Sequence, residues 1–376
     1  MSAEAPEVTI VTHPDGSTIT TTTAGGTTRT EIIHSDGTTL VVATEEETMP
    51  TPIEVFDPHF HIWDIRDGVG YADKTTLFAP AGTDHEGLYD AADLEKDWAC
   101  LPEGFVHTGG VFLEAISCCF KEKSAEELAP LCLKEAEWVQ AELDKSPGKK
   151  DYYLAPTACL EDPEVGTVLS KLAENPKVKG IRQTLNVAPD WPRTGENGLG
   201  ELLDNPQWEA GYAKLADVGF SFDMQLNPHQ YKKGAAIAAK YPSIPVIVNH
   251  LGTPTLKDLE EDNGAVFWEG MEALAAAGPH VYLKISMLCY TDPKWGDNDV
   301  IAAAVARLIK LFGSGRCFFA SNYPVDMLPD QGLWTRTRAR LRLFLCRRLH
   351  IRPLLPMLRV LHASLLVSSL LPCFLV

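Results

Sequence analysis

From Ile53 onward, short apolar runs of strand length alternate with longer stretches of helical spacing, and this alternation restricts the fold more than any other feature of the chain. The runs are IEVFDP (53–58), GVFLEA (110–115), YYLAPTA (152–158), VKGIRQ (178–183), GFSFDMQL (219–226), IPVIVNH (244–250), VYLKIS (281–286) and RCFFASN (316–322). Between them, 263–278 carries Val266, Phe267, Met271, Leu274 and Ala275 at helical spacing, and 297–312 places Ile301, Val305, Leu308 and Ile309 on one face. The segment 124–144 opens with Ser-Ala-Glu-Glu, a capping-box signature, and Pro130 is expected to delay the true helix start. Eight strands with helical crossovers predict an α/β fold, a (β/α)8 barrel. A doubly wound open sheet is the alternative, and no GxGxxG supports it.

The flanks differ from this body. Residues 1–52 are rich in Thr and Gly, and VTHPDGSTIT (11–20) is similar to IIHSDGTTLV (32–41), each with an Asp-Gly turn between β-branched residues. That is hairpin chemistry, and it predicts a β-hairpin-like appendage. His13 and His34 sit beside those turns, where a solvated loop position outweighs a metal-ligand role. Residues 331–376 contain no Asp, Glu or Lys but eight arginines, so they carry +8 against −26 for the rest, within a chain total of −18. The expected division is therefore an appendage at 1–52, a barrel at 53–332 and an atypical basic and apolar tail at 333–376.

An acidic body argues against a nucleic-acid-binding surface, because phosphate contacts need clustered Lys and Arg on the docking domain. The nine cysteines show no CxxC spacing and read as free thiols of a reducing compartment. The N-terminus lacks the basic start and apolar run of a secretory signal. A cytoplasmic location is expected. The alternative is a tail anchor, since VLHASLLVSSLLPCFLV (360–376) is near the lower length limit for a span and follows arginines. Translation in a shifted frame or through an intron explains the tail's Arg, Leu, Pro and Ser better. Residues 336–350 fit the closing helix of a barrel poorly, because Leu341, Leu343 and Leu345 alternate at a period near two.

In a (β/α)8 barrel the chemistry gathers where strands end. Here the first run continues into Asp57-Pro58-His59-Phe60-His61, the second ends at Glu114, and the fourth holds Arg182 and Gln183. The fifth holds Gln225, the sixth ends in Asn249-His250, the seventh contains Lys284 and Ser286, and the eighth ends in Ser321-Asn322. An HxH pair in an extended segment puts both imidazoles on one side, able to reach one cation or one substrate oxygen. A third histidine at another strand end strengthens the site reading. Arg182 could close an internal salt bridge or hold a substrate carboxylate; Glu114 could serve the chemistry or simply hydrogen-bond a neighbouring Arg or His, and Lys284 faces the choice between a structural and a site role.

FDPHFHIWD (56–64), GVFLEA, KGIRQ (179–183), VIVNHLGTP (246–254) and FFASNYPVD (318–326) together resemble the amidohydrolase-related TIM-barrel family over about residues 53–330. The resemblance is nearest to its lactonase-like branch, with a metal-dependent decarboxylase as a more distant relative. It implies a (β/α)8 barrel and hydrolysis of a lactone, ester or amide bond of a small molecule. His59 and His61 match the family's first-strand pair and His250 its sixth-strand histidine, the possible ligands of a divalent metal such as zinc. Gln225 stands where metal-dependent members place a fifth-strand histidine, and Asn322 where most carry an eighth-strand aspartate. Neutral Gln and Asn neither balance zinc nor accept a proton at neutral pH, so a metal-independent mechanism is favoured.

In that reading His59, His61 and Arg182 polarise a carbonyl and bind an acidic substrate, with Gln225 and Lys284 as further substrate contacts and Glu114 among the catalytic residues. His250 is the base, Asn322 positions water or the oxyanion, and Asp326 is a second base candidate or a turn cap. A non-oxidative decarboxylase and a ligand-binding barrel without turnover are the alternatives.

Overall fold

The computed structural model describes residues 7–24, 27–46, 52–66, 87–99, 101, 105–115, 124–187 and 201–327. The chain divides between Pro52 and Ile53 into two compact units. The expected closing helix and the stretches 336–350 and 360–376 lie outside the described residues. Among those described, no helix is long and apolar enough to cross a membrane.

The first unit is a four-stranded antiparallel sheet: β1 (Glu7–Thr12), β2 (Thr18–Ala24), β3 (Thr27–Ile33) and β4 (Thr39–Glu46), in that order. The two similar sequence segments form the same turn twice. Asp15 accepts from the Ser17 amide at 3.0 Å, and Asp36 from the Thr38 amide at 2.9 Å. The next residue in each turn, Gly16 or Gly37, has a φ near +85°, which a side chain would resist.

In the second unit every one of the eight expected runs forms a parallel strand. β5 (Ile53–Phe60) is followed by a two-residue pair, β6 (Trp63–Asp64) and β7 (Leu88–Tyr89), and then by β8 (Phe105–Leu113) and β9 (Asp151–Ala155). The remaining strands are β10 (Gly180–Thr184), β11 (Ser221–Gln225), β12 (Val246–Val248), β13 (Val281–Ile285) and β14 (Cys317–Phe319). They lie as two arcs, β5-β8-β9 and β10-β11-β12-β13-β14. Single parallel bridges close both seams, Leu154 with Val178 and Phe60 with Tyr323. The second seam is tied by His61 N to Tyr323 O and Asn322 N to His59 O, each 2.8 Å, so the first and eighth strand ends are brought side by side by backbone.

Strand register separates two apolar layers. Ile181, Phe222, Met224, Val246, Val248, Val281 and Leu283 point outward into the main core, which helices such as Ala265–Ala276 and Asp299–Phe312 cover. Arg182, Asp223, Ile247 and Tyr282 are register partners facing inward, as are Lys284 and Phe318. Ile247, Tyr282 and Phe318 form a separate small cluster, with the Tyr282 and Phe318 rings stacked at 5.6 Å. The barrel is thus plugged by a short apolar layer, and the polar residues lie inside it and beyond its strand ends.

Two helix expectations need correction. The helix Ala125–Leu143 starts directly after Ser124, and Pro130 lies within it. The reciprocal Ser124–Glu127 capping box satisfies donors at the start, and burial of Leu128, Cys132, Ala136 and Val139 on one face carries the helix through the proline. Val266, counted on the apolar face of its helix, is 61% exposed, while Phe267, Met271 and Leu274 are buried.

Candidate active site

Alternation along β5 puts Asp57, His59 and His61 on one side, and all three are buried. His61 Nδ1 lies 2.8 Å from the Leu113 carbonyl, which only accepts, so this nitrogen carries the proton and donates. The lone pair of its Nε2 then faces His59 Nε2 and Asn322 Oδ1, each at 3.1 Å. Arg182 Nη1 approaches His59 Nε2 at 3.3 Å and donates to it. Arg182 itself is fixed by Glu114, through Nε to Oε1 at 2.8 Å and Nη2 to the backbone oxygen at 3.1 Å. Three of its five N–H groups are therefore committed.

His250 joins from the sixth strand end. Its ring lies 4.4 Å from that of His59, and its Nδ1 is bonded to Ser286 Oγ at 2.9 Å, which leaves Nε2 for chemistry. The backbone turns sharply to deliver these groups: His250, Met287 and Asn322 all have φ between 52° and 55°. Left-handed non-glycine residues of this kind store strain and concentrate at functional sites.

Lys284 is at the same level, but its ammonium is paired with Asp223 Oδ1 at 2.5 Å, and Asn249 Nδ2 donates to that oxygen at 2.7 Å. Gln225 belongs to a neighbouring chain of bonds: its Nε2 donates to Asn186, and Asn186 to Thr253. Gln183 is drawn away from the histidines, accepting from Trp208 and donating to Glu161. Asp57, given no role from sequence, accepts from the Ser321 amide at 3.0 Å, the Ser321 hydroxyl at 2.5 Å and the His59 amide at 3.2 Å. It braces the first strand end against the eighth. Its place at i, i+2, i+4 with His59 and His61 was the available signal.

Burial governs the protonation states. It holds the imidazoles of His59 and His250 well below their ordinary range, reinforced by neighbouring positive charge. His61 is brought down to about 4 by burial and then by Arg182. Burial also lowers Lys284 against the pull of Asp223, and raises Asp57 to about 6. The site therefore presents neutral imidazoles beside a fixed guanidinium.

The linkage has opposite signs for His61 and Asp57. Below about 6.5 an unfolded imidazole takes a proton that folded His61 refuses until about 4, so stability is lost as pH falls through that window. The folded Asp57 carboxyl takes its proton near 6 and the unfolded one near 3.8, so it adds stability as pH falls over the range between. Because these offset in a melting curve, ring titration is the cleaner test. The ring nitrogens of His59, His61 and His250 are expected to keep the chemical shifts of neutral imidazoles from pH 8 to 6; an imidazolium shift appearing with a midpoint near 6.5 for any of them contradicts the buried neutral site.

The donor set fits a catalytic zinc poorly. Such a site takes about three good protein ligands, and among the described residues no group of three or more His, Cys, Asp or Glu is placed to hold a metal ion. Two imidazole nitrogens and an amide oxygen converge, and the guanidinium of Arg182 already donates to one of the imidazoles.

A parallel α/β barrel with imidazoles, a paired guanidinium and polar strand ends around one point defines a barrel enzyme of the hydrolytic type. The sequence pattern of the amidohydrolase family matches residues 56–343, and the chain belongs to that family. It is accordingly a hydrolase. The match reaches past the boundary expected at residue 332.

The chain is 28% identical over 281 residues to the uncharacterized protein y4mH of Sinorhizobium fredii, covering 73% of this chain and 86% of that one. It is 24% identical over 179 residues to an L-fucono-1,5-lactonase of Burkholderia ambifaria, covering 46% and 57%. Among solved structures, an amidohydrolase of Burkholderia multivorans with bound HEPES superposes with a TM-score of 0.61 at 18% identity, covering 85% of this chain and 99% of that one. A second crystal form with bound zinc gives a TM-score of 0.57 at 19% identity, with the same coverage. These likenesses bear on the fold.

Proposed function

We propose that the protein opens a lactone, or a related cyclic ester, of a small acidic molecule by water attack, in the cytoplasm and without a catalytic metal. The observation that carries this reading is the meeting at His59 of buried His250, whose Nδ1 is tied to Ser286, with the guanidinium of Arg182, fixed by Glu114. A neutral imidazole accepts a proton, and a guanidinium pinned by Glu114 binds a carboxylate or a developing oxyanion without reorganising. The likeness to the fuconolactonase of Burkholderia ambifaria supports the substrate class.

Water attacks the ring carbonyl carbon and loses a proton to His250 Nε2. The oxyanion is stabilised by Arg182. Collapse breaks the ring C–O bond, and the imidazolium returns its proton to the leaving alkoxide, giving a hydroxy acid. His59 and His61 do not polarise the carbonyl in this account, because the lone pair of His61 Nε2 faces inward and His59 Nε2 accepts from Arg182. The hydrogen that the attacking water does not give to His250 is accepted by His61 Nε2 or Asn322 Oδ1 instead. Lys284 and Gln225 shape the surrounding wall through Asp223 and Asn186.

Acid release from L-fucono-1,5-lactone and from 2-pyrone-4,6-dicarboxylic acid tests the class. Turnover of at least one above the buffer rate is expected, and inertness toward both and toward a wider lactone panel would sink the proposal. Metal analysis is a separate check. Purified protein is expected to hold far less than one zinc per chain and to keep its turnover after chelation, whereas loss on chelation with recovery on zinc addition would overturn the metal-free mechanism.

A further inference from the structure

Asn322 Nδ2 donates to Asp326 Oδ1 at 2.7 Å, and this bond decides which end of the amide faces the site. With Nδ2 held by a carboxylate, Oδ1 must face His61 Nε2, oxygen against a nitrogen lone pair at 3.1 Å. Left to itself, the amide would relax by turning over, so that Nδ2 donated to His61 Nε2 and covered its lone pair. Burial pushes the Asp326 carboxyl up to about 7; above that pH its bond to Nδ2 is charge-assisted, about twice as strong as a neutral one, and the carboxylate wins this competition.

Asp326 has further ties. Its Oδ2 accepts from the Met287 amide at 3.1 Å, and the Cys289 thiol also bonds to the carboxylate. Met287 follows Ser286, which holds His250. The half-buried carboxylate thus joins the turn after β13, which carries the partner of His250, to the turn after β14, which carries Asn322.

We infer that Asp326 is a positioning residue that locks the Asn322 carbonyl toward His61, keeps the His61 Nε2 lone pair uncovered for the attacking water, and holds the β13 and β14 turns in register. The catalytic side of this inference rests on the hydrolytic reading above, and the geometric side does not. A turn cap alone would stabilise the turn at residues 322–326 without any bearing on His61.

The test uses full-length protein with 15N-labelled histidine, in the wild type, in Asp326→Ala, and in the reciprocal swap Asn322→Asp with Asp326→Asn. In the swap, the amide introduced at position 326 can donate to the carboxylate introduced at position 322 while its own oxygen accepts from the Met287 amide, so an oxygen still faces His61. In Asp326→Ala the His61 Nε2 resonance is expected to move toward the hydrogen-bonded position as the Asn322 amide turns over. On whichever lactone is hydrolysed, kcat falls on the order of 10–100-fold with KM nearly unchanged. The swap is expected to return much of the lost turnover.

An unmoved His61 resonance in folded Asp326→Ala, or a loss of thermal stability with kcat intact, overturns the inference. If Asp326→Ala does not fold, the swap decides: a folded swap protein with His61 restored supports positioning, and failure of both to fold reduces Asp326 to a fold determinant. Should no lactone be hydrolysed, the hydrolytic reading fails, and the resonance of His61 still reports on the geometry.

Discussion

His250→Ala is expected to lower kcat on a hydrolysed lactone by about 10²–10⁴-fold, the range associated with a positioned general base. The structure makes this more than a removal of bulk. Ser286 holds His250 Nδ1 at 2.9 Å, the backbone bends through a left-handed turn at His250 itself, and burial keeps the ring unprotonated. An alanine there leaves Arg182 and Glu114 in place, so KM should change far less than kcat. Ser286→Ala should give a smaller loss, because the ring remains but its orientation is freer. Retention of most activity in His250→Ala would remove it from the base role and leave the water-facing His61 as the group to test next.

The second large effect is on stability. Asp223 and Lys284 are both at least 96% out of solvent as side chains and form an ion pair inside the barrel. Asp223→Ala strands a buried ammonium, which costs about 3–5 kcal/mol in comparable buried pairs. The urea midpoint should fall accordingly. Replacing both members, Asp223→Leu with Lys284→Met, should recover much of that loss, since two buried charges are removed together. A single Asp223→Ala variant as stable as the wild type would mean that Lys284 sheds its proton or finds another partner.

The order of the strands was legible because each carries an apolar run of β-branched and aromatic residues broken by Gly, Pro or charge, and the helical crossovers repeat between them. Strand ends were legible too, since His59, His61, Arg182, His250 and Asn322 interrupt apolar runs, and the structure brings them together. Their partners were not. Glu114 meets Arg182 across 68 residues and His250 meets Ser286 across 36, and nothing local specifies which of several inward polar groups will pair.

Alternation could have drawn attention to Asp57, which shares a face with His59 and His61. The facing of Asn322 could not be read at all, because it depends on a carboxylate four residues on competing with a lone pair from the first strand. Pro130 misled for a related reason: its cost is local, and the burial of Leu128, Cys132, Ala136 and Val139 that offsets it is made by tertiary packing.

Hydrolysis of an active lactone in water enriched in 18O reports which carbon the water attacks. Attack on the ring carbonyl predicts one heavy oxygen in the carboxylate of the enzyme-dependent product and none in its new hydroxyl. Label in the hydroxyl, or release of carbon dioxide from an unopened ring, would contradict hydrolysis by a base-activated water at the acyl carbon.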